Sequence, residues 1–539
     1  MAVLLAAAAT AFATLPAAAS ATPAATAHAA PTPSVAKNAR TGAAFKTYSG
    51  RSVSKGAAPR AQSSLAAVNA TPVVATLTAQ QWDTRTIQAT ASTDSSQPIS
   101  LYRFNWGDQQ TTDSTTPTVR HTYAKLGTYP VSVTETDDLG NSATATLSQL
   151  FATAGSDYTP YGPVRLLDTR YGTGTGGSTA TVPAFGSIAL TVAGNGGIPQ
   201  AATAVALNVT VTGPKVAGYL TVYPAGSARP TTTAVNFSPG QTVATMTVSA
   251  VGANGKVEFY IGSGGAVSLV ADASGYFTPT AADGYQAISP VRALDTRSGA
   301  GGYPAKTVSQ GRPVVLKIGG QPGVPSGAKA VAVNLTVAGA TQSGYISAFP
   351  HGQARPLVSN LNFDKGATRA NAAVVPVGAD GNIEITLTSS GVARVIVDVD
   401  GVFLPTGQHG TSYLPITPFR YFDTRKDEPG GLGGFYYQCL PLAQDSNHQP
   451  DPAFAGFVIS ATVTNPQTGG YLSVYPAPTA GCGYQADLPT TSTLNFTGRS
   501  TVPNLAFATP GASGDVDVLN GSTGTIQYLV DVYGLFLND

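Results

Sequence analysis

Apolar and polar residues alternate in short runs along much of this chain. Val205-Ala206-Leu207-Asn208-Val209-Thr210-Val211-Thr212 and Val331-Ala332-Val333-Asn334-Leu335-Thr336-Val337 keep a period of two. That period predicts β-strands, because a helix face repeats about every 3.6 residues. Tyr129, Val131 and Val133 alternate with small polar residues in the same way and predict a half-buried strand. Three further runs separate an aliphatic face from an aromatic one. Tyr219, Thr221 and Tyr223 oppose Leu220 and Val222; Tyr345, Ser347 and Phe349 oppose Ile346 and Ala348; Tyr471, Ser473 and Tyr475 oppose Leu472 and Val474. Gly252-Ala253-Asn254-Gly255 and Gly378-Ala379-Asp380-Gly381 predict hairpin turns between strands.

The pattern is written three times. Pro163-x-Arg165-x-x-Asp168-Thr169-Arg170 returns as Pro290-x-Arg292-x-x-Asp295-Thr296-Arg297 and as Pro418-x-Arg420-x-x-Asp423-Thr424-Arg425. The aspartate spacings are 295 − 168 = 127 and 423 − 295 = 128. Gly-Tyr pairs (218–219, 344–345, 470–471) and Asn-Phe pairs (236–237, 362–363, 495–496) keep the same beat. Each copy closes on Asp-x-x-Gly-x-Phe, from Asp272, Asp398 or Asp531. Such a period suits a whole domain of about 100–150 residues rather than a solenoid unit. The expected copies span 160–278, 287–404 and 415–538, each with eight to ten short strands and each folding independently. The fold class is therefore all-β: tandem β-sandwiches, the repeats being sandwich or jelly-roll-like.

Composition narrows the function classes. Charged residues make up 11% of the 539, apolar residues 42%, and the net charge is +1. The apolar share excludes a disordered chain, and the missing basic field argues against nucleic acid as a partner. Residues 1–30 read as a secretory signal peptide, apolar and Ala-rich, with Ala27-His28-Ala29 as the cleavage site. Pro16 and Pro23 interrupt the run before the roughly 18–20 residues a membrane helix needs. Residues 31–71 form a basic Ala/Ser/Pro-rich linker with Lys37, Arg40, Lys46, Arg51, Lys55 and Arg60 and no acid. The expected location is extracellular or at the cell wall.

Between residues 72 and 153, Phe104-Asn105-Trp106-Gly107-Asp108 precedes His121-Thr122-Tyr123 and Gly127-Thr128-Tyr129-Pro130-Val131. This order resembles the PKD domain, with Gln109 where that family's first motif ends in Gly. The resemblance implies an immunoglobulin-like sandwich serving as a spacer or contact module, without catalysis. The three copies resemble a repeat of secreted actinobacterial proteins with an R-x-L-D-T-R opening and L-N-V-T-V-T and G-Y-L-T-V-Y-P strands. That likeness bears on secretion and says little about chemistry.

Several constellations invite a site. On a regular strand Asp168 and Arg170 share a face and Arg165 takes the other. Asp168 with Arg170, Asp295 with Arg297, and Asp423 with Arg425 read as structural ion pairs pinning a strand end, with Asp272, Asp398 or Asp531 as partners. The aromatic strips Tyr219/Tyr223, Tyr345/Phe349 and Tyr471/Tyr475 suit stacking on sugar rings, although packing is the favoured reading. Cys439 and Cys482 fall in the divergent stretches of the third copy, which also carries a seven-residue insertion, and predict a disulfide.

Catalytic signals are sparse. The chain holds five His, of which His28 lies in the signal, His409 in a linker and His121 in the PKD-like motif, while His351 has no counterpart in the other copies. There is no G-x-S-x-G, H-E-x-x-H or P-loop, so no catalytic residue, metal or cofactor is expected. The leading expectation is a secreted, non-catalytic surface or matrix protein. It would give multivalent weak binding to an extracellular polysaccharide or cell-wall polymer, or act as a spacer. The alternative is an extracellular carbohydrate-active hydrolase whose carboxylate pair is brought together only by folding.

Overall fold

The computed structural model describes residues 47–53 and 74–538, apart from 82–85, 95–96, 124–127, 148–150, 153–154, 281, 406–407, 409, 446–447 and 478–488. The signal region, His28, His409 and Cys482 lie outside the described residues. The protein is all-β, built from antiparallel sheets.

The N-terminal unit is a sandwich of two four-stranded sheets. One runs Thr47–Val53, Val74–Gln81, Thr86–Thr93, Thr118–Thr122; the other runs Thr111–Ser114, Ile99–Asn105, Ser132–Asp137, Ser142–Thr146. The expected linker therefore contributes an edge strand, Thr47–Val53, paired antiparallel with Val74–Gln81. Its Thr, Tyr, Ser and Val suit a pleated edge, so composition alone misread it. Phe104, Trp106, Tyr123, Val131 and Val133 are buried between the sheets. Trp106 Nε1 donates to Thr112 Oγ1 at 2.9 Å, and the Tyr123 hydroxyl donates to the Trp106 carbonyl at 3.1 Å.

Each repeat is a jelly roll. In the first, the inner sheet runs Asp157–Asp168, Ser268–Thr278, Ala204–Thr212, Val243–Ala250. The outer sheet runs Ser187–Thr191, Lys256–Gly262, Gly218–Pro224, Val235–Phe237. In chain order this is strands 1-8-3-6 facing 2-7-4-5, and the other repeats preserve it. The turn at 252–255 does not close a hairpin, contrary to expectation. The strand before it pairs with Ala204–Thr212, and the strand after it with Gly218–Pro224 in the facing sheet. The turn thus carries the chain from one layer to the other.

The repeats are not separate beads. Each has its own core between its two sheets. A further core gathers residues from all three, including Tyr158, Met246 and Phe277 of the first, Tyr285, Val374 and Phe403 of the second, and Tyr413, Phe507 and Phe536 of the third. The Tyr158 and Phe403 rings lie 4.2 Å apart, Tyr285 and Phe536 3.9 Å, and Phe277 and Tyr413 4.5 Å. Strand Ala204–Thr212 is consequently buried on both faces along almost its whole length. Its alternation separates two buried surfaces, one aliphatic and one of Ala, Asn and Thr, rather than core from solvent.

Strand openings complete the ring. Tyr158 pairs with Asp283, Tyr285 with Thr411, and Tyr413 with Ser156, each as an antiparallel bridge. The inner strands begin at Asp157, Gly284 and Ser412, three residues before the expected boundaries of 160, 287 and 415. These openings carry the tyrosines that explain the closing glycines. A Cβ on Gly275, Gly401 or Gly534 would strike the ring of Tyr158, Tyr285 or Tyr413.

Candidate functional site

The Asp-Thr-Arg motif sits at the seams between repeats. A β-bulge between Arg165 and Leu167 turns Arg165 toward the Asp168 side. The expectation that Arg165 takes the opposite face fails for this reason. Arg165 Nε reaches Asp272 at 2.8 Å, its Nη1 reaches Asp168 at 3.2 Å, and its Nη2 donates to the Leu357 carbonyl of the second repeat at 3.0 Å. Arg292 repeats this on Asp398, Asp295 and the Thr490 carbonyl of the third repeat. Arg420 repeats it on Asp531, Asp423 and the Thr231 carbonyl of the first. The handover runs first to second, second to third, third to first. Arg170, Arg297 and Arg425 close each cluster by gripping Asp168, Asp295 and Asp423 at 2.7, 2.7 and 2.6 Å.

Burial raises the carboxyls of Asp272, Asp398 and Asp531 above their ordinary range, and the guanidinium contacts oppose that rise only in part. Burial would also raise Asp168 and Asp295, but hydrogen bonds from Arg170 and Arg297 outweigh it and hold them low. Arg425 holds Asp423 low in the same way. Both carboxylates of each cluster are occupied by guanidinium donors. The arrangement acts as a joint, since buried charges are tolerated only when paired.

Amide bridges reinforce two of the seams. Asn371 Nδ2 donates to Asn208 Oδ1 at 3.0 Å, and Asn504 Nδ2 to Asn334 Oδ1 at 2.9 Å. At the seam between third and first repeats the matching positions hold Ser460 and Thr245, whose side chains are shorter. A groove of about 370 Å³ opens at this seam. A wider recess of about 1750 Å³ lies near the strand openings, where much of the lining is glycine, alanine and proline.

The aromatic strips are not open platforms. Tyr223, Phe349 and Tyr475 are buried, as are Thr221, Ser347 and Ser473 between each pair of rings. Residues downstream of each strand cap this face, Thr221 Oγ1 donating to the Thr232 carbonyl at 2.9 Å, Ser347 Oγ to that of Val358 and Ser473 Oγ to that of Thr491. Only Tyr219, Tyr345 and Tyr471 stay half-buried. Tyr219 and Tyr471 lie against Gly262 and Gly521, where a Cβ would meet the ring. Sequence reasoning missed Arg229 and Arg355, which lie beside these tyrosines, although Ala-Arg-Pro recurs at 228–230 and 354–356. Arg229 stacks on the Tyr260 ring with its guanidinium carbon 3.8 Å from the centroid. Arg355 Nη2 donates to the Tyr345 hydroxyl at 3.2 Å.

His121 and His351 have local partners. His121 Nε2 lies 2.9 Å from Asp108 Oδ2 and stacks on Trp106, and His351 Nδ1 lies 2.6 Å from Asp380. No group of three or more His, Cys, Asp or Glu suited to a metal occurs among the described residues. No described helix is long and apolar enough to cross a membrane. Cys439 is disulfide-bonded, and Cys482 lies outside the described residues.

Residues 69–150 match the family model of the PKD domain, so this unit is a PKD domain. No curated protein matches the chain. Among solved structures, a carbohydrate-binding module of the β-sandwich superfamily aligns at 13% identity and a TM-score of 0.14, over 37% of this chain and 91% of its own. The tandem CBM22-1–CBM22-2 domain of Paenibacillus barcinonensis Xyn10C aligns at 12% identity and 0.14, over 46% and 96%. A Streptomyces avermitilis alpha-L-rhamnosidase complexed with L-rhamnose aligns at 9% identity and 0.15, over 83% and 56%. At such scores these likenesses carry no argument about this chain.

Proposed function

We propose that the protein is a secreted, non-catalytic surface or matrix protein that makes multivalent contacts with an extracellular polysaccharide. The observation that carries this reading is the arrangement of the half-buried tyrosines. Tyr219, Tyr345 and Tyr471 occupy equivalent strands of three repeats that close on a shared core. Weak stacking sites fixed on one body raise avidity by orders of magnitude without new contacts. Tyrosine suits this task because its ring offers an apolar face and its hydroxyl a polar tip. The PKD domain then acts as the spacer or contact module that precedes the body. The guanidinium-bound carboxylates at the seams favour this reading over the hydrolase, which needs one carboxyl free to give a proton and another free to attack or activate water.

A pull-down of the purified protein with a panel of insoluble polysaccharides tests the proposal. Retention is expected on at least one polymer and is expected to fall stepwise as Tyr219, Tyr345 and Tyr471 are changed to Ala one after another. No retention on any polymer, or retention indifferent to all three changes, contradicts it.

A further inference from the structure

We infer that the seam between the third and first repeats is a binding groove for an acidic sugar residue, one whose ring carries a carboxylate or a phosphate. This inference rests on the polysaccharide-binding reading and narrows it to one seam and one chemistry.

The groove of about 370 Å³ falls in the lower range of small-ligand sites, which run about 300–1,000 Å³. Tyr219, Arg229 and Asn236 line it from the first repeat, and Arg420, Arg425 and Thr462 from the third. Its lining includes three guanidiniums and no carboxylate. Their hydrogen-bonding capacity is unequally used. Arg420 is committed to Asp531, Asp423 and the Thr231 carbonyl. Arg425 spends Nε and Nη2 on Asp423, which leaves its Nη1 edge open, and its side chain is 50% exposed. Arg229 has no ion pair among the described residues, and its guanidinium rests on the face of Tyr260. A guanidinium with free donors presents a planar fork that matches a carboxylate or phosphate in bidentate geometry.

The walls also hold unanswered polar atoms. Thr462 Oγ1 and Asn236 Oδ1 are buried and make no hydrogen bond among the described residues. Thr462 is only 4% exposed. Buried polar groups of folded proteins are nearly always satisfied, so such atoms point to an absent partner, and sugar hydroxyls are partners of the right kind. The half-buried Tyr219 ring, backed by Gly262, adds a firm apolar surface. This seam also differs from the others in sequence. Ser460 and Thr245 stand where the other seams place asparagines that bridge from repeat to repeat, and Ser460 Oγ makes no hydrogen bond among the described residues.

Titration calorimetry on the full chain tests the inference, with tetragalacturonate, mannose 6-phosphate and neutral cellotetraose as probes. At least one acidic probe is expected to bind tenfold or more tightly than cellotetraose and to weaken as salt is raised, because exposed charge contacts are screened. Tetragalacturonate and mannose 6-phosphate separate the carboxylate source from the phosphate source. Arg229→Gln is expected to lower that affinity about tenfold with only a small fall in melting temperature, since Arg229 holds no ion pair among the described residues and gives up one exposed stacking contact on Tyr260. Arg355→Gln, its counterpart in the second repeat, is expected to leave that affinity unchanged. Equal binding of acidic and neutral probes, or binding indifferent to Arg229→Gln, overturns the groove assignment while polysaccharide binding stands. Binding of neither these probes nor any polymer of the panel overturns both.

Discussion

Ser156 and Tyr413, 413 − 156 = 257 positions apart, exchange both backbone hydrogen bonds at 2.8 Å. The beginning of the first repeat is thereby tied to the beginning of the third, and a linear series of domains becomes a ring. With the Arg165, Arg292 and Arg420 handovers, every repeat touches both others through specific polar contacts. The aromatic cluster they surround is what an isolated repeat would expose to water.

The seam clusters are expected to be stability elements. Arg420→Ala leaves Asp531 buried without its main partner, which costs about 3–5 kcal/mol when a buried pair is broken from one side. Arg420→Lys is expected to recover little, because one ammonium cannot span Asp531, Asp423 and the Thr231 carbonyl as the guanidinium does. Denaturant melting of the two variants checks both outcomes.

Gln109 gives the opposite sign. It has φ 71°, the left-handed region in which a side chain costs about 1 kcal/mol or more. The PKD motif's usual glycine answers that geometry. Gln109→Gly is expected to raise the stability of the PKD domain by roughly 0.5–1 kcal/mol, read as a higher melting temperature for that transition.

Glu135 makes the same domain sensitive to pH. Its burial pushes the carboxyl from 4.5 up to about 7, with a Thr93 hydrogen bond opposing. The folded state therefore holds a proton that the unfolded chain has released. Stability from this group is present below about pH 4.5 and is lost as pH rises through about 7. The PKD transition is expected to be weaker at pH 8 than at pH 5 by on the order of 1–2 kcal/mol, and Glu135→Gln is expected to abolish the difference. Melting curves at the two pH values decide it.

Cys439 and Cys482 are expected to form one intramolecular disulfide in protein recovered under oxidising conditions. An intact mass two hydrogen atoms below the reduced value supports it, and two alkylatable thiols contradict it. Removing a native disulfide commonly costs about 2–5 kcal/mol, so Cys439→Ser is expected to lower the melting temperature of the three-repeat body.

Much of this architecture was legible in the sequence, and the parts that were not have physical reasons. Period-two alternation located the Ala204–Thr212 and Ala330–Ala338 strands well. It could not say that their Asn and Ala face is also buried, because small residues at a tight seam resemble small residues in water. Arg165 was assigned to the wrong face because a β-bulge adds one residue that no local pattern announces. Tyr158, Tyr285 and Tyr413 were left outside the repeats, since their role depends on neighbours more than 100 residues away, as in the Tyr158 hydroxyl's bond to the Ser274 carbonyl. For the aromatic strips the sequence favours packing over binding, and Tyr223, Phe349 and Tyr475 are indeed buried, while the half-burial of Tyr219, Tyr345 and Tyr471 is not legible in the alternation. Arg229 carries no signal in the sequence beyond the Ala-Arg-Pro recurrence, because its stacking on Tyr260 and its lack of an ion pair among the described residues are properties of three dimensions.

The claim on which the account rests is that the three repeats form one closed body with sites at its seams. Small-angle X-ray scattering on the fragment 154–539 tests it most directly. A closed body is expected to give a radius of gyration of about 21 Å, the value size scaling assigns to a compact chain of that length. It should also give a single symmetric distance distribution. A clearly larger radius with a long tail, as three domains on flexible linkers would give, contradicts it.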